Sequence, residues 1–135
     1  MAAIMGFLIL IGAFFFEACA GSTSPLSLPA NALPAAVRHN QEGIEQYRMG
    51  HWNSAKAHFE AAVQSTPPLA EVHYNLALAL DKLGDHPAAT AHFKHAGELA
   101  PRNPAITQSD IYLYHMATGP RPPIDPIHRP IMGGY

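Results

Sequence analysis

AEVHYNLALALDKLGDHPAATAHFKHAGELAPRN, residues 70–103, is the stretch whose reading decides the fold. Residues 36–69, AVRHNQEGIEQYRMGHWNSAKAHFEAAVQSTPPL, carry the same landmarks 34 positions earlier. Gly50 returns as Gly84, Ala55 as Ala89, Phe59 as Phe93, Ala62 as Ala96 and Pro67 as Pro101. Five landmarks in one register mark an internal repeat. Each unit reads as two helices. Residues 37–49 run into Gly50 and residues 71–83 into Gly84, and a glycine ends a helix because it accepts a positive φ without strain. The second helices are expected over 52–65 and 87–99, with Asp85 as N-cap and Pro87 in the first turn. Thr66-Pro67-Pro68 and Pro101 then stop them. Ala55, Phe59 and Ala62, like Ala89, Phe93 and Ala96, share one helical face. The alanines let two helices approach closely, and the phenylalanine fills the space beside them.

This pattern resembles the tetratricopeptide repeat, a helix–turn–helix unit of the same period. The second-helix signature, Ala-x-x-x-Phe with a small residue and a later Pro, is present in both units. In the first helices, His73-x-x-Leu76-Ala77-x-x-Leu80 keeps the pattern, while His39-x-x-Glu42-Gly43-x-x-Gln46 keeps only its glycine. A loosely packed first helix is the expectation there, as suits a terminal position. The fold class expected is all-α: two repeats, 36–69 and 70–103, closed by a capping helix over 104–118 with Asn103 as its N-cap. Residues 119–135, with four prolines among RPPIDPIHRPIMGGY, read as a Pro-rich tail. Its isoleucines and Tyr135 suit docking along the chain's own repeats or on a neighbouring subunit.

The 135 residues are 48% hydrophobic and only 13% charged, with a formal net charge of −2 and a single cysteine. That balance gives no basic face for nucleic acid, no disulfide framework and no multi-cysteine metal site. Residues 2–16 are uncharged and apolar, but shorter than the ~20 residues that a membrane span needs. They match the apolar core of a secretion signal. Residues 1–20 are therefore read as a signal peptide or lipoprotein signal. Phe16-Glu17-Ala18-Cys19 resembles a bacterial lipobox, with Ala18 on the pattern and Phe16 and Glu17 off it; the resemblance implies acylation at Cys19. Cleavage after Ala20 and retention as an uncleaved anchor are the alternatives. Residues 21–35, GSTSPLSLPANALPA, are uncharged and proline-rich, and read as a flexible linker.

No Gly-x-Ser-x-Gly elbow, phosphate loop or His-Glu-x-x-His occurs, so an enzyme is not expected, and no cofactor is implied. The resemblance places a concave, partner-binding surface on the first helices. On this chain that surface comprises Asn40, Ile44, Tyr47 and Arg48 beside Tyr74, Leu78, Asp81 and Lys82, continued by Tyr112 and His115. Its mixture of aromatic, aliphatic and charged residues implies a partly apolar peptide or helix as ligand, and a second copy of the chain is a further candidate. Nine histidines stand out in the composition. His92 and His95, three apart on one helix, form a weak metal-ligand pair. His39 and His73 fit packing roles instead. The reading overall is an exported scaffold or adaptor, lipid-anchored at the membrane and facing the periplasm, that assists assembly of an envelope complex. A periplasmic metal-handling protein and a regulatory partner of an envelope enzyme are the alternatives.

Overall fold

The structure, a computed structural model, describes residues 23–118. The expected signal segment with Cys19, and the Pro-rich tail, lie outside the described residues. Six helices follow in order: α1 Pro34–Arg48, α2 Trp52–Gln64, α3 Ala70–Lys82, α4 His86–Leu99, α5 Pro104–Thr107 and α6 Asp110–Thr118. Among the described residues there is no strand. No helix there is long and apolar enough to cross a membrane. Helix α1 pairs with α2 and α3 with α4, and the two hairpins join through α2 and α3. Helix α6 closes the far side of α4. The all-α repeat architecture expected from the sequence is what the chain adopts.

Both glycine stops have the left-handed backbone that the sequence implies, φ +78° at Gly50 and +82° at Gly84. Behind each, an N–H reaches back five residues: His51 N donates to Gln46 O at 2.9 Å, and Asp85 N to Leu80 O at 3.0 Å. These bonds satisfy carbonyls that a helix end leaves open. The Asp85 carboxylate accepts from Ala88 N at 3.2 Å, so it caps α4 as expected.

Helix α3 is the centre of the molecule. Ala70 and every residue from Val72 to Leu80 are buried, which requires neighbours all round. Phe59 and Phe93 are fully buried on the adjoining second helices. Phe93 meets Tyr74 edge-on, with ring centroids 5.5 Å apart. Contrary to the loose packing expected of α1, a Cβ placed on Gly43 would stand 2.5 Å from Phe59 Cε1. The glycine permits that closeness.

Two further expectations change. Residues 23–33 do not behave as a free linker: they run without helix or strand to Pro29 and turn through a bond from Ala32 N to Pro29 O of 3.0 Å, and Leu26 packs on the core. Helix α1 then begins at Pro34, whose fixed φ suits a first turn. The capping segment is two helices rather than one. Fully buried Ile106 anchors the single turn α5. The Ser109 hydroxyl donates to Ile106 O at 2.9 Å and so interrupts the run before α6.

Three substitutions test this packing separately. Phe93→Ala should destabilise by about 3–5 kcal/mol through the cavity it leaves, read by urea unfolding. Gly84→Ala meets nothing within 4 Å, so its cost is backbone strain alone, about 1–2 kcal/mol. Gly43→Ala has ordinary helical backbone but collides with Phe59, and should cost about 1–3 kcal/mol through overpacking. A Gly43→Ala melt equal to wild type would contradict the close approach.

Candidate functional site

A non-helical stretch of the chain lies against the first helices, and two asparagines hold it by the backbone of Leu26. Asn75 Oδ1 accepts from Leu26 N at 2.6 Å, and Asn75 Nδ2 donates to Leu26 O at 2.7 Å. One carboxamide thus engages both polar groups of one peptide residue, as a neighbouring β-strand would. Asn40 Nδ2 donates to the same Leu26 O at 3.0 Å, and Asn75 Nδ2 donates to Asn40 Oδ1 at 2.8 Å. Asn40 is 1% exposed and Asn75 fully buried, so the satisfied network stands in apolar surroundings, where such bonds are strongest. Pro25 and Ser27 border a hollow with Gln41, Ile44, Glu45 and Arg48 of α1. On the other side, Ser24, Pro25 and Leu26 border a second hollow with Pro104, Ala105, Gln108 and Ser109.

Of the residues that the resemblance assigned to partner binding, Asn40, Ile44, Tyr47, Tyr74, Leu78 and His115 are buried, while Arg48 and Lys82 are exposed. Asp81 and Tyr112 are partly exposed. Asn40 makes direct contact with the docked segment, and Ile44 and Arg48 line its margin. Tyr47 meets Trp52 edge-on at 4.9 Å; burial first, then the Asp81 charge and Tyr74, push its phenol up to about 12. Lys82 stands over the Trp52 ring, 5.9 Å from its centroid. Tyr112 lies against Gly97, where any Cβ would strike its ring and hydroxyl. His115 faces inward to Asp81 and Thr90 rather than onto an open surface. Asn75 and Leu26 escaped the sequence reading. Asn75 sits 35 rather than 34 residues after Asn40, so a search at the repeat period passes over the pair.

The histidines gather in sets. His39 and His58 recur one period later as His73 and His92. In the first set both rings approach one carboxylate: Glu42 Oε2 lies 3.4 Å from His39 Nδ1 and 3.1 Å from His58 Nδ1. In the second, His73 Nδ1 and His92 Nδ1 are 3.1 Å apart in stacked rings, and His95 stands edge-on to His73 at 4.4 Å. At that distance one ring nitrogen donates and the other accepts, as two neutral imidazoles can. Burial above all, then His95 and His92, pushes His73 down to about 4. Burial and His95 lower His92 as well, against an opposing pull from Glu60. Among the described residues, two groups bring three ligand atoms within 4.8 Å of one another, His39–Glu42–His58 and Asp81–His86–His115. His92 and His95, the pair singled out from sequence, belong to neither.

A histidine held neutral in the fold binds fewer protons than it does in the unfolded chain. Its contribution to stability is therefore complete above the unfolded value of about 6.5 and is lost as pH falls toward about 4. The loss reaches about 3 kcal/mol at most. Urea midpoints should fall between about pH 7 and about pH 5, and His73→Leu should flatten that decline. An equal decline in the variant would remove His73 as its source.

Comparison with known proteins agrees with this geometry. No curated protein and no solved structure matches the chain. A family model described as Tetratricopeptide repeat matches residues 70–103, about a quarter of the length. That match covers the helices α3 and α4, their left-handed glycine stop and the terminating proline. Residues 70–103 thus match a tetratricopeptide repeat.

Proposed function

We propose that this chain is an interaction module, as tetratricopeptide repeats bind protein partners, and specifically an exported scaffold whose inner face takes an extended, partly apolar segment of an envelope protein. What supports this reading is the two-point hold of Asn75 on Leu26, reinforced by Asn40. Because it reads backbone, the clamp accepts many sequences provided the peptide is extended. Residues 24–28 lie where the partner segment would lie, so binding exchanges one strand for another. The hollows beside Pro25 receive the partner's side chains. No catalysis is assigned, in keeping with an adaptor.

The amino terminus completes the proposal. Acylation of Cys19 would anchor the chain at a membrane, and the segment that emerges from the anchor is the one the groove holds. Clamp occupancy is then linked to the distance between anchor and repeats.

A photo-reactive residue in place of exposed Gln41, at the groove margin, tests the docking reading in cells. A discrete crosslinked partner is expected, and it should vanish with Asn75→Ala. The substitution itself should cost about 1–3 kcal/mol, because it strands buried polar groups. Crosslinks that persist unchanged in the Asn75→Ala background would overturn the groove as docking site. Separately, a fatty-acid analogue should label the wild type and not Cys19→Ser. Unlabelled protein recovered wholly in a soluble fraction would overturn the lipid anchor.

A further inference from the structure

In the first repeat, the end of α1 and the start of α2 meet through two aromatic rings, Tyr47 and Trp52. One period later the same two positions hold Asp81 and His86, and the contact becomes His86 Nδ1 to Asp81 Oδ1 at 3.1 Å. One period beyond Asp81 stands His115 on α6, whose Nε2 is 3.0 Å from that same carboxylate oxygen. Two imidazoles, one from α4 and one from α6, therefore converge on one oxygen. An apolar contact has been replaced, at equivalent backbone positions, by a set of metal-ligand donors.

Hydrogen-bond logic fixes one ring hydrogen of His115. The Thr90 hydroxyl donates its one hydrogen to His86 O at 2.8 Å. Toward His115 Nδ1, also 2.8 Å away, it can then only accept, so Nδ1 carries the ring hydrogen. Nε2 is then the ring nitrogen turned to the Asp81 carboxylate. His115 is 2% exposed, and in such a place the two groups need a cation between them, either a proton or a metal ion. A metal ion meets that need, and Thr90 then acts as the outer partner that orients a ligating histidine.

We propose that Asp81, His86 and His115 form a zinc site. Three protein ligands of imidazole and carboxylate type, with a fourth position left to solvent beside partly exposed His86, suit this ion. Bond lengths of about 2.0–2.2 Å in a tetrahedron imply ligand separations of about 3.3–3.5 Å. The 3.1 and 3.0 Å separations here need to open by only a few tenths of an ångström. The ion would tie α3, α4 and α6 together, fixing the cap on the second repeat. The site stands independently of the docking groove.

Calorimetric titration of zinc into chelator-stripped full-length protein tests it. Sub-micromolar binding at this site is expected. It should be weakened at least a hundredfold by His86→Gln and about 10–100-fold by Thr90→Val, and left unchanged by Glu42→Gln at the other histidine–carboxylate group. His86 is partly exposed in the first turn of α4, so His86→Gln should fold, as circular dichroism would verify. Cobalt in place of zinc should give the visible bands of tetrahedral coordination, and zinc should slow amide exchange in residues 110–118. Absence of zinc uptake, uptake indifferent to His86→Gln, or uptake lost only with Glu42→Gln would each overturn the proposal. In the first case, a proton on His115 Nε2 satisfies Asp81 alone.

Discussion

The ring of Phe59 occupies the space where a side chain on residue 43 would stand, and the geometry of the inner face depends on that contact. A helix pair can come this close only where one side offers no side chain and the other a flat ring. Ala55 and Ala62 on α2, with Ala77 and Ala79 on α3, keep the spacing small across the neighbouring contacts, and all four are fully buried. Close spacing has a polar consequence. Asn40 and Asn75 stand on different first helices, yet their carboxamides bond at 2.8 Å. Wider packing would break that bond, worth about 0.5–1.5 kcal/mol, and leave Asn40 Oδ1 without its donor. The apolar contact and the polar clamp are therefore one constraint seen from two sides of α1.

Asn75 uses both ends of its carboxamide on a single residue, which makes the clamp selective for conformation rather than for side chain. An extended peptide offers N–H and C=O in the plane that the amide needs; a helix has already spent both on itself. Pro25 and Pro29 on either side of Leu26 favour extended backbone, so little entropy is lost when the segment docks. Leu26 adds the apolar contact that a bare backbone lacks. The groove thus combines a general reader of backbone with local tests of shape at the two hollows.

The repeat was legible because its landmarks are covalent properties of single residues. Glycine tolerates φ +78° and +82°, proline stops a helix, and the Ala–Phe–Ala spacing matches one face. The candidate site was less legible for two distinct reasons. Leu26 lies in a stretch whose composition reads as tether, and composition says nothing about a partner 49 residues away. Asn75 falls one residue off the period, so it joins Asn40 through the approach of two helices and not through repetition. His115 shows the converse. It keeps the period relative to Asp81, but lies beyond residue 103, where the second unit ends. The break between α5 and α6 was hidden too, since it turns on a Ser109 hydroxyl that could equally have faced solvent.

Repetition makes departures informative. Two units built on one plan give each position a control: what the first repeat places there satisfies the packing, so what differs in the second answers another demand. Tyr47 and Trp52 show that the turn between paired helices closes well with apolar rings. Asp81 and His86 occupy that place with groups that cost desolvation and then need each other. Packing alone gives no reason for the exchange, because the rings already fit. His39 and His58 against His73 and His92 make the same comparison in reverse. There the histidines persist, while Glu42 gives way to Leu76 one period on, and the second pair, without a carboxylate, closes into a neutral stack with His73 held at about 4. Carboxylates thus separate two kinds of histidine pair among the described residues: those that face a charge and are available to a cation, and the His73–His92 stack, which is held neutral.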